Sequence, residues 1–229
     1  DYAGDEGQRF LSIASSTTVA TGDNGKDLFI DIEAADNSFT TQVSPLNLGN
    51  AVVNPGFVID SEAYANFYPE DMVITFNSES AVTPPGINYT IRNASDGRVV
   101  DGMAEMKYNG GDEIVAAGIG FKISGKPEPG DEFLVNSSEK QSITDTIFRL
   151  MDGLNNLSDN PTDSETLGNL LEDILDNLAF AQSSISQVRS EVGARLNVIE
   201  NTTSLAADVD IVSKSVLSKL SDVDFAEAV

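Results

Sequence analysis

The sequence predicts an α+β protein in which an antiparallel β-rich part is followed by a helical part. Glycine, proline and tyrosine are concentrated before residue 139, and short β-branched and aromatic runs recur between 72 and 135. From 164 to 220, apolar residues recur every three or four positions. These patterns are typical of strands joined by turns and of an amphipathic helix. The predicted fold is an elongated helical rod domain, consisting of a long C-terminal helix, a shorter helix and a β-hairpin, with an inserted antiparallel β-rich domain.

The hairpin is predicted near the start of the chain. The segments 10–19 and 28–33 flank Gly22-Asp23-Asn24-Gly25, and an Asn-Gly pair between alternating runs favours a tight turn. The stretch 37–70 contains three prolines and has weak periodicity, so it is predicted as loop and edge strand. Turn residues separate five further predicted strands, at 72–76, 87–91, 98–100, 113–115 and 120–123.

Two helices are predicted after the strands. Ser138 and Gln141 form a capping box for the first helix, which is predicted to end near Gly153. The second, from 164 to 220, is roughly 85 Å long at 1.5 Å per residue, which is longer than a compact domain of this size. Its apolar stripe exceeds what the shorter helix can cover. We therefore expect a further helix as its partner, either earlier in a longer chain or on neighbouring subunits.

Composition excludes several classes of function. The chain has 13 Lys and Arg against 37 Asp and Glu, a net charge of −24, and no His, Cys or Trp. It therefore lacks an imidazole base, a thiol nucleophile and the ligands of a nitrogen- and sulfur-based zinc site. Its negative charge would repel phosphate backbones and anionic headgroups, so nucleic acid and membranes are not expected partners.

No catalytic or metal site is predicted, and no cofactor is implied. Neighbouring carboxylates are the only candidates for acid and base chemistry, and in a chain this acidic they are interpreted as solvated surface. The pairs are Asp112 with Glu113, Glu172 with Asp173, and Asp208 with Asp210. The sequence therefore predicts a protein that is not an enzyme.

Two local patterns in the helical part are more specific. Within 189–197, Gly193 costs about 1 kcal/mol relative to Ala in a helix and leaves a shallow place where another backbone can approach. Glu191 and Arg195 are spaced as a favourable i,i+4 ion pair. The second pattern is the segment 218–229, which ends the chain.

These patterns resemble the C-terminal half of bacterial flagellins and their relatives, which carry R-S-x-L-G-A-x-x-N and then S-x-I-x-D-x-D-Y-A-x-E-V. The matching residues are Arg189, Ser190, Gly193, Ala194 and Asn197, then Ser218, Asp222, Asp224, Phe225, Ala226 and Val229. In the first part, 123–133 is similar to the I-S-G-x-P-x-x-G-D-x-F signature of the hook-associated protein 3 branch, and 2–5 to its Y-x-G-D signature.

The resemblance implies a structural protein that self-assembles at the distal end of the flagellar hook and joins the hook to the filament. It implies an extracellular location after type III export. The implied partners are other copies in a ring, the first hook-associated protein on the hook side, flagellin on the filament side, and an export chaperone before secretion. The residues expected to pack between subunits are Arg189, Gly193, Arg195, Asn197, Asp222, Asp224 and Phe225.

The resemblance also implies a division of the chain. Residues 1–36 form the β-hairpin part of the rod domain, 37–138 a projecting β-rich domain, and 139–229 the helical part of the rod. The family's N-terminal helices and both terminal segments lie outside this sequence. Because residue 1 is Asp and no secretion signal follows it, we expect the chain to be part of a longer or processed protein.

Two other functions are compatible with the patterns. One is the filament subunit, flagellin itself. The other, from a different class, is a secreted adhesin or ligand-binding β domain carried on a helical stalk.

Overall fold

A computed structural model describes residues 4, 6–157 and 161–227, except for the side chains of 161, 162 and 222–227. The chain divides into two compact units. The core unit is Phe29–Gln182, and the terminal unit combines Asp1–Leu28 with Ser183–Val229. Both strands and helices are present in these described residues, so the predicted α+β class is confirmed.

The strands in chain order are β1 (Phe10–Ala14), β2 (Thr17–Ala20), β3 (Glu33–Val43), β4 (Val52–Val53), β5 (Phe57–Val58), β6 (Met72–Phe76), β7 (Asn88–Asn93), β8 (Met106–Lys107), β9 (Glu113–Ala116), β10 (Ile119–Ser124) and β11 (Glu132–Lys140). The helices are α1 (Gly25–Phe29), α2 (Ser61–Phe67), α3 (Ile143–Asn156) and α4 (Pro161–Glu227), with a short 3-10 turn at Glu79–Ala81. In the described parts of the chain, no helix has both the length and the hydropathy of a membrane span.

The core unit is built on two antiparallel sheets. The larger has the strand order β3-β11-β6-β7-β8, and in the smaller β10 pairs with β4, β5 and β9. In the larger sheet Phe133 lies opposite Ile74, which lies opposite Ile91, and all three are buried. The predicted strands at 72–76, 87–91, 113–115 and 120–123 are confirmed within one or two residues, whereas 98–100 forms only an isolated bridge at Val99.

The predicted hairpin has its turn in the wrong place. The hairpin is β1 paired with β2, so the turn lies near Ser16, and 25–29 is a short helix. The side chain of Asn24 accepts a hydrogen bond from the backbone N–H of Lys26 (2.9 Å). This local bond starts a helical turn where the Asn-Gly pair predicted a β-turn, because an Asn side chain competes with the backbone for the same donors.

Two further predictions between residues 33 and 142 are corrected. The edge strand predicted within 37–70 is present as most of the 11-residue strand β3, but the stretch also contains the helix α2, which was not predicted. Ser138 lies in β11 and does not cap a helix. The N-cap of α3 is Ser142, whose hydroxyl accepts from the backbone N–H of Asp145 (2.9 Å). The Ser138 cap was wrong because β11 continues through this residue to pair with β3, beyond its local signals.

The long helix is confirmed as one continuous helix, α4, but its buried face differs from the predicted stripe. In the core unit, α4 buries Thr166, Leu170, Ile174, Asn177 and Ala181. The buried face includes polar side chains because they form hydrogen bonds with the backbone of other segments. Asn177, for example, accepts a hydrogen bond from the backbone N–H of Ala35 (3.0 Å). Leu171 and Leu178, two of the apolar residues that recur at helical spacing between 164 and 220, are exposed instead.

A buried arginine joins α3 to the sheet. The Arg149 side chain is 6% exposed and lies over the Phe39 ring, 4.6 Å from its centroid. Its guanidinium donates to Ser38 Oγ (2.8 Å), to the Phe39 carbonyl (2.5 Å) and to Gln141 Oε1. None of the described carboxylates forms an ion pair with it. Burial lowers the pKa of Arg149 to about 10, so it remains charged at neutral pH.

A pair of carboxyl groups lines a small cavity together with this arginine. The cavity, about 20 Å³, is lined by Arg149, Asp173 of α4 and Asp36 of β3, among others. Burial, followed by the charge of Asp36, raises the pKa of Asp173 to about 6. The interpretation of Asp173 as solvated surface is therefore wrong, because the side chain is half-buried.

We expect Arg149→Ala to lower the free energy of unfolding by about 3 kcal/mol, since it removes three hydrogen bonds of a charged donor and leaves buried acceptors unpaired. Urea unfolding followed by tyrosine fluorescence reports on the core unit, which contains four of the five tyrosines. Arg98→Ala is the control, because its side chain is 83% exposed and should shift stability by less than about 0.5 kcal/mol. Equal effects of the two changes would contradict the role of Arg149.

We expect the stability of the core unit to fall as pH rises from about 4 to 7 through Asp173. Its folded pKa of about 6 lies above the value of about 3.9 for an unfolded Asp, so the folded state binds more protons in this window. Asp173→Asn should therefore be more stable than the parent chain at pH 7.5 and about equal to it at pH 4.

The measurement is the urea midpoint of each variant at both pH values. Asp176→Asn serves as the control, because Asp176 lies exposed on the same helix. A difference between Asp173→Asn and the parent that does not change with pH would rule out this titration.

Candidate assembly surface

The described residues offer little for catalysis. They contain no cluster of three or more His, Cys, Asp or Glu arranged to hold a metal ion. The most perturbed carboxyl, Asp173, lines a cavity of about 20 Å³, which has room for about one water molecule. A shifted pKa alone is also found in structural clusters. The candidate functional features lie on the surfaces of the molecule.

In the terminal unit, one face of α4 contacts the N-terminal segment of the chain. Arg195 forms ion pairs with Asp23 and with Glu191, the latter at 3.6 Å, and its side chain is only 19% exposed. The hydrogen bond with Asp23 raises the pKa of Arg195 above its ordinary value. Nearby, Lys26 pairs with Glu6 at 2.6 Å. The predicted Glu191–Arg195 pair is thus present, within a larger contact between residues distant in sequence.

The opposite face of the same helix turn is open. Arg189, Gly193 and Asn197 recur every four residues, so they share one side, whereas Arg195 lies about 200° around the helix from Gly193. Arg189 and Asn197 are exposed, and a Cβ added to Gly193 would meet no atom within 4 Å. The sequence placed Arg189, Gly193, Arg195 and Asn197 in one subunit contact. The structure separates Arg195, which binds within its own unit, from the other three.

Further along α4, no described residue packs over the helix. Every described residue from 203 to 221 is exposed, over roughly 28 Å of helix at 1.5 Å per residue. Five apolar side chains, each between 51% and 66% exposed, follow one another at spacings of three or four and form what we call the apolar stripe. They are Leu205, Val209, Val212, Val216 and Leu220.

The remaining predicted packing residues lie at the end of α4. Asp222, Asp224 and Phe225 belong to the helix, but their side chains lie outside the described part of the chain. Their role between subunits stays a prediction.

The terminal unit buries almost none of its apolar side chains. Among the described residues, Val19 is its only buried hydrophobic residue, whereas the core unit contains a cluster that includes Phe39, Met72 and Phe133. Phe10 and Leu11 of β1 are also more than half exposed. An exposed apolar surface of this extent marks a candidate interaction site.

Sequence reasoning missed the role of Asp131, although it noted the motif containing it. Asp131 is buried in the core unit and accepts backbone N–H bonds from Leu48 (2.8 Å), Gly49 (3.0 Å) and Glu128 (2.9 Å). Burial alone would raise the pKa of this carboxyl, but the three bonds outweigh it, and the pKa lies below its ordinary value. The signal in the sequence was Gly130-Asp131, since Gly130 has a φ of 94° that favours glycine.

No protein-family model and no curated protein matches the chain. The chain is similar to the crystal structure of flagellar hook-associated protein-3 from Legionella pneumophila, with 26% identity over 97% of this chain and 67% of that one, at a TM-score of 0.49.

Two further solved structures are similar. One is FlgL from Xanthomonas campestris, with 26% identity over 95% of this chain and 66% of that one, at a TM-score of 0.47. The other is the flagellar junction protein FlgL from Legionella pneumophila, with 26% identity over 93% and 66%, at a TM-score of 0.44. This chain spans about two thirds of their length, and over nearly its whole sequence it resembles hook-associated protein 3.

Proposed function

We propose that this chain is part of a structural subunit of the bacterial flagellum, which self-assembles at the distal end of the hook and joins the hook to the filament. The observation that carries the proposal is the terminal unit, which buries one described hydrophobic residue and exposes the apolar stripe on α4. A surface of this kind fits a subunit whose helices are covered only after assembly. The sequence motifs in 123–133 and 189–229 indicate which assembly it is, because they resemble those of hook-associated protein 3 and the flagellin family.

In this proposal the open faces of α4 have separate roles. The apolar stripe packs against helices of the same subunit that lie outside this sequence and against neighbouring copies. The side with Arg189, Gly193 and Asn197 accepts the backbone of a neighbour, because Gly193 has open space around its Cα. The rod part of the subunit comprises 1–36 and 139–229, and the β-rich part comprises 37–138.

The proposed partners follow from the same assignment. The subunit contacts other copies in a ring, the first hook-associated protein on one side and flagellin on the other. Before assembly it is held by an export chaperone and passes unfolded through the type III apparatus to the extracellular flagellum. It performs no catalysis, and its acidic surface helps keep free subunits soluble.

We expect Val212→Asp with Val216→Asp, introduced into the full-length protein, to abolish assembly. Two charges in the apolar stripe would be buried without partners, which costs several kcal/mol. Cells should then carry hooks without filaments and release flagellin into the medium, as seen by electron microscopy and by blotting. Ala207→Asp lies on the other side of the same helix and is the control. Normal filaments in the doubly substituted strain would refute the proposal, and continuous presence of the protein along the filament would favour flagellin instead.

We expect Gly193→Leu to stabilise the isolated chain but to weaken assembly. Leu is favoured over Gly within a helix by about 0.8 kcal/mol, and a Cβ at this position would meet no atom within 4 Å. Gly168→Leu is a matched control, since that glycine also lies in α4 with open space around it. Thermal unfolding and filament counts are measured for both variants. A Gly193→Leu strain with as many filaments as the Gly168→Leu strain would contradict close approach at Gly193.

A further inference from the structure

One exposed turn of the core unit contains the groups for a covalent change of its own side chain. The sequence has two Asn-Gly pairs, Asn24-Gly25 and Asn109-Gly110. In such a pair the backbone nitrogen of the glycine attacks the side-chain carbonyl carbon of the asparagine, since glycine has no Cβ to crowd the approach. The rate of this attack depends on how firmly the fold holds the two reacting groups.

The reaction needs only the protein and water. A bond forms between the glycine nitrogen and the asparagine Cγ, the bond between Cγ and the amide nitrogen breaks, and ammonia leaves with the proton of the glycine N–H. The product is a five-membered succinimide ring. Water then opens the ring at either carbonyl, which gives aspartate or isoaspartate, and in isoaspartate the main chain passes through the side-chain carbon atoms. The net change is a deamidation, in which a hydroxyl replaces the amino group and ionises.

Both reacting groups are unrestrained at Asn109-Gly110. The pair lies in the turn between β8 and β9, and both residues are exposed. Within the described parts of the chain, no group forms a hydrogen bond with the Asn109 carboxamide or with the Gly110 N–H. The bonds that hold the turn use other atoms. The Asp112 N–H donates to the Asn109 carbonyl (3.1 Å), and the Gly111 N–H donates to the Ile123 carbonyl (2.9 Å).

The same groups are restrained at Asn24-Gly25. Asn24 is half-buried, its Oδ1 accepts from the backbone N–H of Lys26 (2.9 Å), and its Nδ2 donates to the Glu6 carbonyl (3.4 Å). Gly25 is the first residue of α1. Two hydrogen bonds and the start of a helix must therefore be disrupted before the Gly25 nitrogen reaches the Asn24 Cγ. The fold protects one of two identical dipeptides and leaves the other open to reaction.

The open pair directly follows a buried and anchored tyrosine. The Tyr108 hydroxyl donates to the carbonyls of Ile123 (3.1 Å) and Gly125 (3.0 Å), and its ring packs edge-on against Phe76, with 5.1 Å between the centroids. Isoaspartate would lengthen the main chain immediately after this residue, whereas aspartate would leave its length unchanged. Either product places a further negative charge close in sequence to Asp112, which is exposed in the same turn.

We propose that Asn109-Gly110 is a site of self-modification, at which the Gly110 nitrogen converts Asn109 to aspartate and isoaspartate in the folded protein. The reaction involves the core unit alone and needs no partner, so it is independent of the proposed assembly. It produces a subpopulation of chains with one additional negative charge, and this subpopulation grows with time.

The test follows both Asn-Gly pairs in the same folded chain. Purified protein is kept at mildly alkaline pH, sampled over several weeks and digested with trypsin, which places the two pairs in separate peptides, 10–26 and 108–122. Chromatography with mass spectrometry measures the aspartate and isoaspartate forms of each peptide. We expect Asn109 to be modified at least about tenfold faster than Asn24, because reaction at Asn24 requires the loss of two hydrogen bonds. In concentrated urea the two rates should become similar.

Gly110→Ala is the specific control. Its Cβ would lie 3.4 Å from the nearest neighbouring atom, Tyr108 Oη, so the turn has room for it, but the methyl group crowds the attacking nitrogen. This variant should slow the modification of Asn109 at least about tenfold, because only glycine leaves the nitrogen open to approach. Gly86→Ala, at a glycine with open space around it, should leave the rate unchanged. The urea midpoint of each variant verifies that it is folded.

Three results would overturn the proposal. The first is an equal rate at Asn24 and Asn109 in the folded protein, and the second is modification of Asn109 in urea only. The third is aspartate without isoaspartate, because direct hydrolysis of the side chain gives aspartate alone. None of these results depends on whether the chain assembles, so the flagellar assignment is tested separately.

Discussion

The core unit depends on the guanidinium of Arg149, which binds α3 to the edge strand β3. A cation without a contacting carboxylate is expensive to bury, and it is retained here because its donors satisfy the Phe39 carbonyl, Ser38 and Gln141 together. Ser38 in turn accepts from Tyr64 Oη through its carbonyl (2.5 Å), which ties α2 to the same point. One side chain thus determines where two helices meet the sheet.

The position of α3 then determines how α4 can pack. Gly153 of α3 lies so close to Leu170 that an added Cβ would be 2.2 Å from its Cδ2, and Leu170 and Ile174 form a second cluster with Phe57. Asp173, on the same stretch of α4, meets Asp36 across the small cavity beside Arg149. The first turns of α4 are therefore determined by contacts within the chain, whereas its last turns make hardly any.

The sequence predicted best those elements whose signals are local. The strand 72–76 alternates and ends at turn residues, and α4 has an uninterrupted helical period, so both were found. The hairpin was misplaced because Asn24 can start a helical turn as well as a β-turn. The Ser138 cap was wrong because β11 continues through that residue to pair with β3. The second outcome is decided by a partner about 100 residues away, which local patterns do not contain.

Part of the candidate site was accessible from the sequence and part was not. Arg189, Gly193 and Asn197 were singled out by the motif that resembles the flagellin family, and they do share an open face. The ion pair between Arg195 and Asp23 was not predicted, because it depends on how the N-terminal segment folds against α4. Asp131 was noticed only as part of a motif, and its bonds to Leu48 and Gly49 span more than 80 residues.

The pairing of β3 with β11 also has a consequence for how the chain folds. Phe39 lies opposite Ser137, so the edge of the larger sheet cannot form until a segment of about 100 residues has closed. Closing such a loop costs entropy before any contact compensates for it, and chains dominated by distant contacts fold in milliseconds to seconds. Helical turns in α4 need only neighbouring residues and form within about a microsecond. The helix is therefore available long before the sheet, and the core unit spends the early part of folding as an open chain.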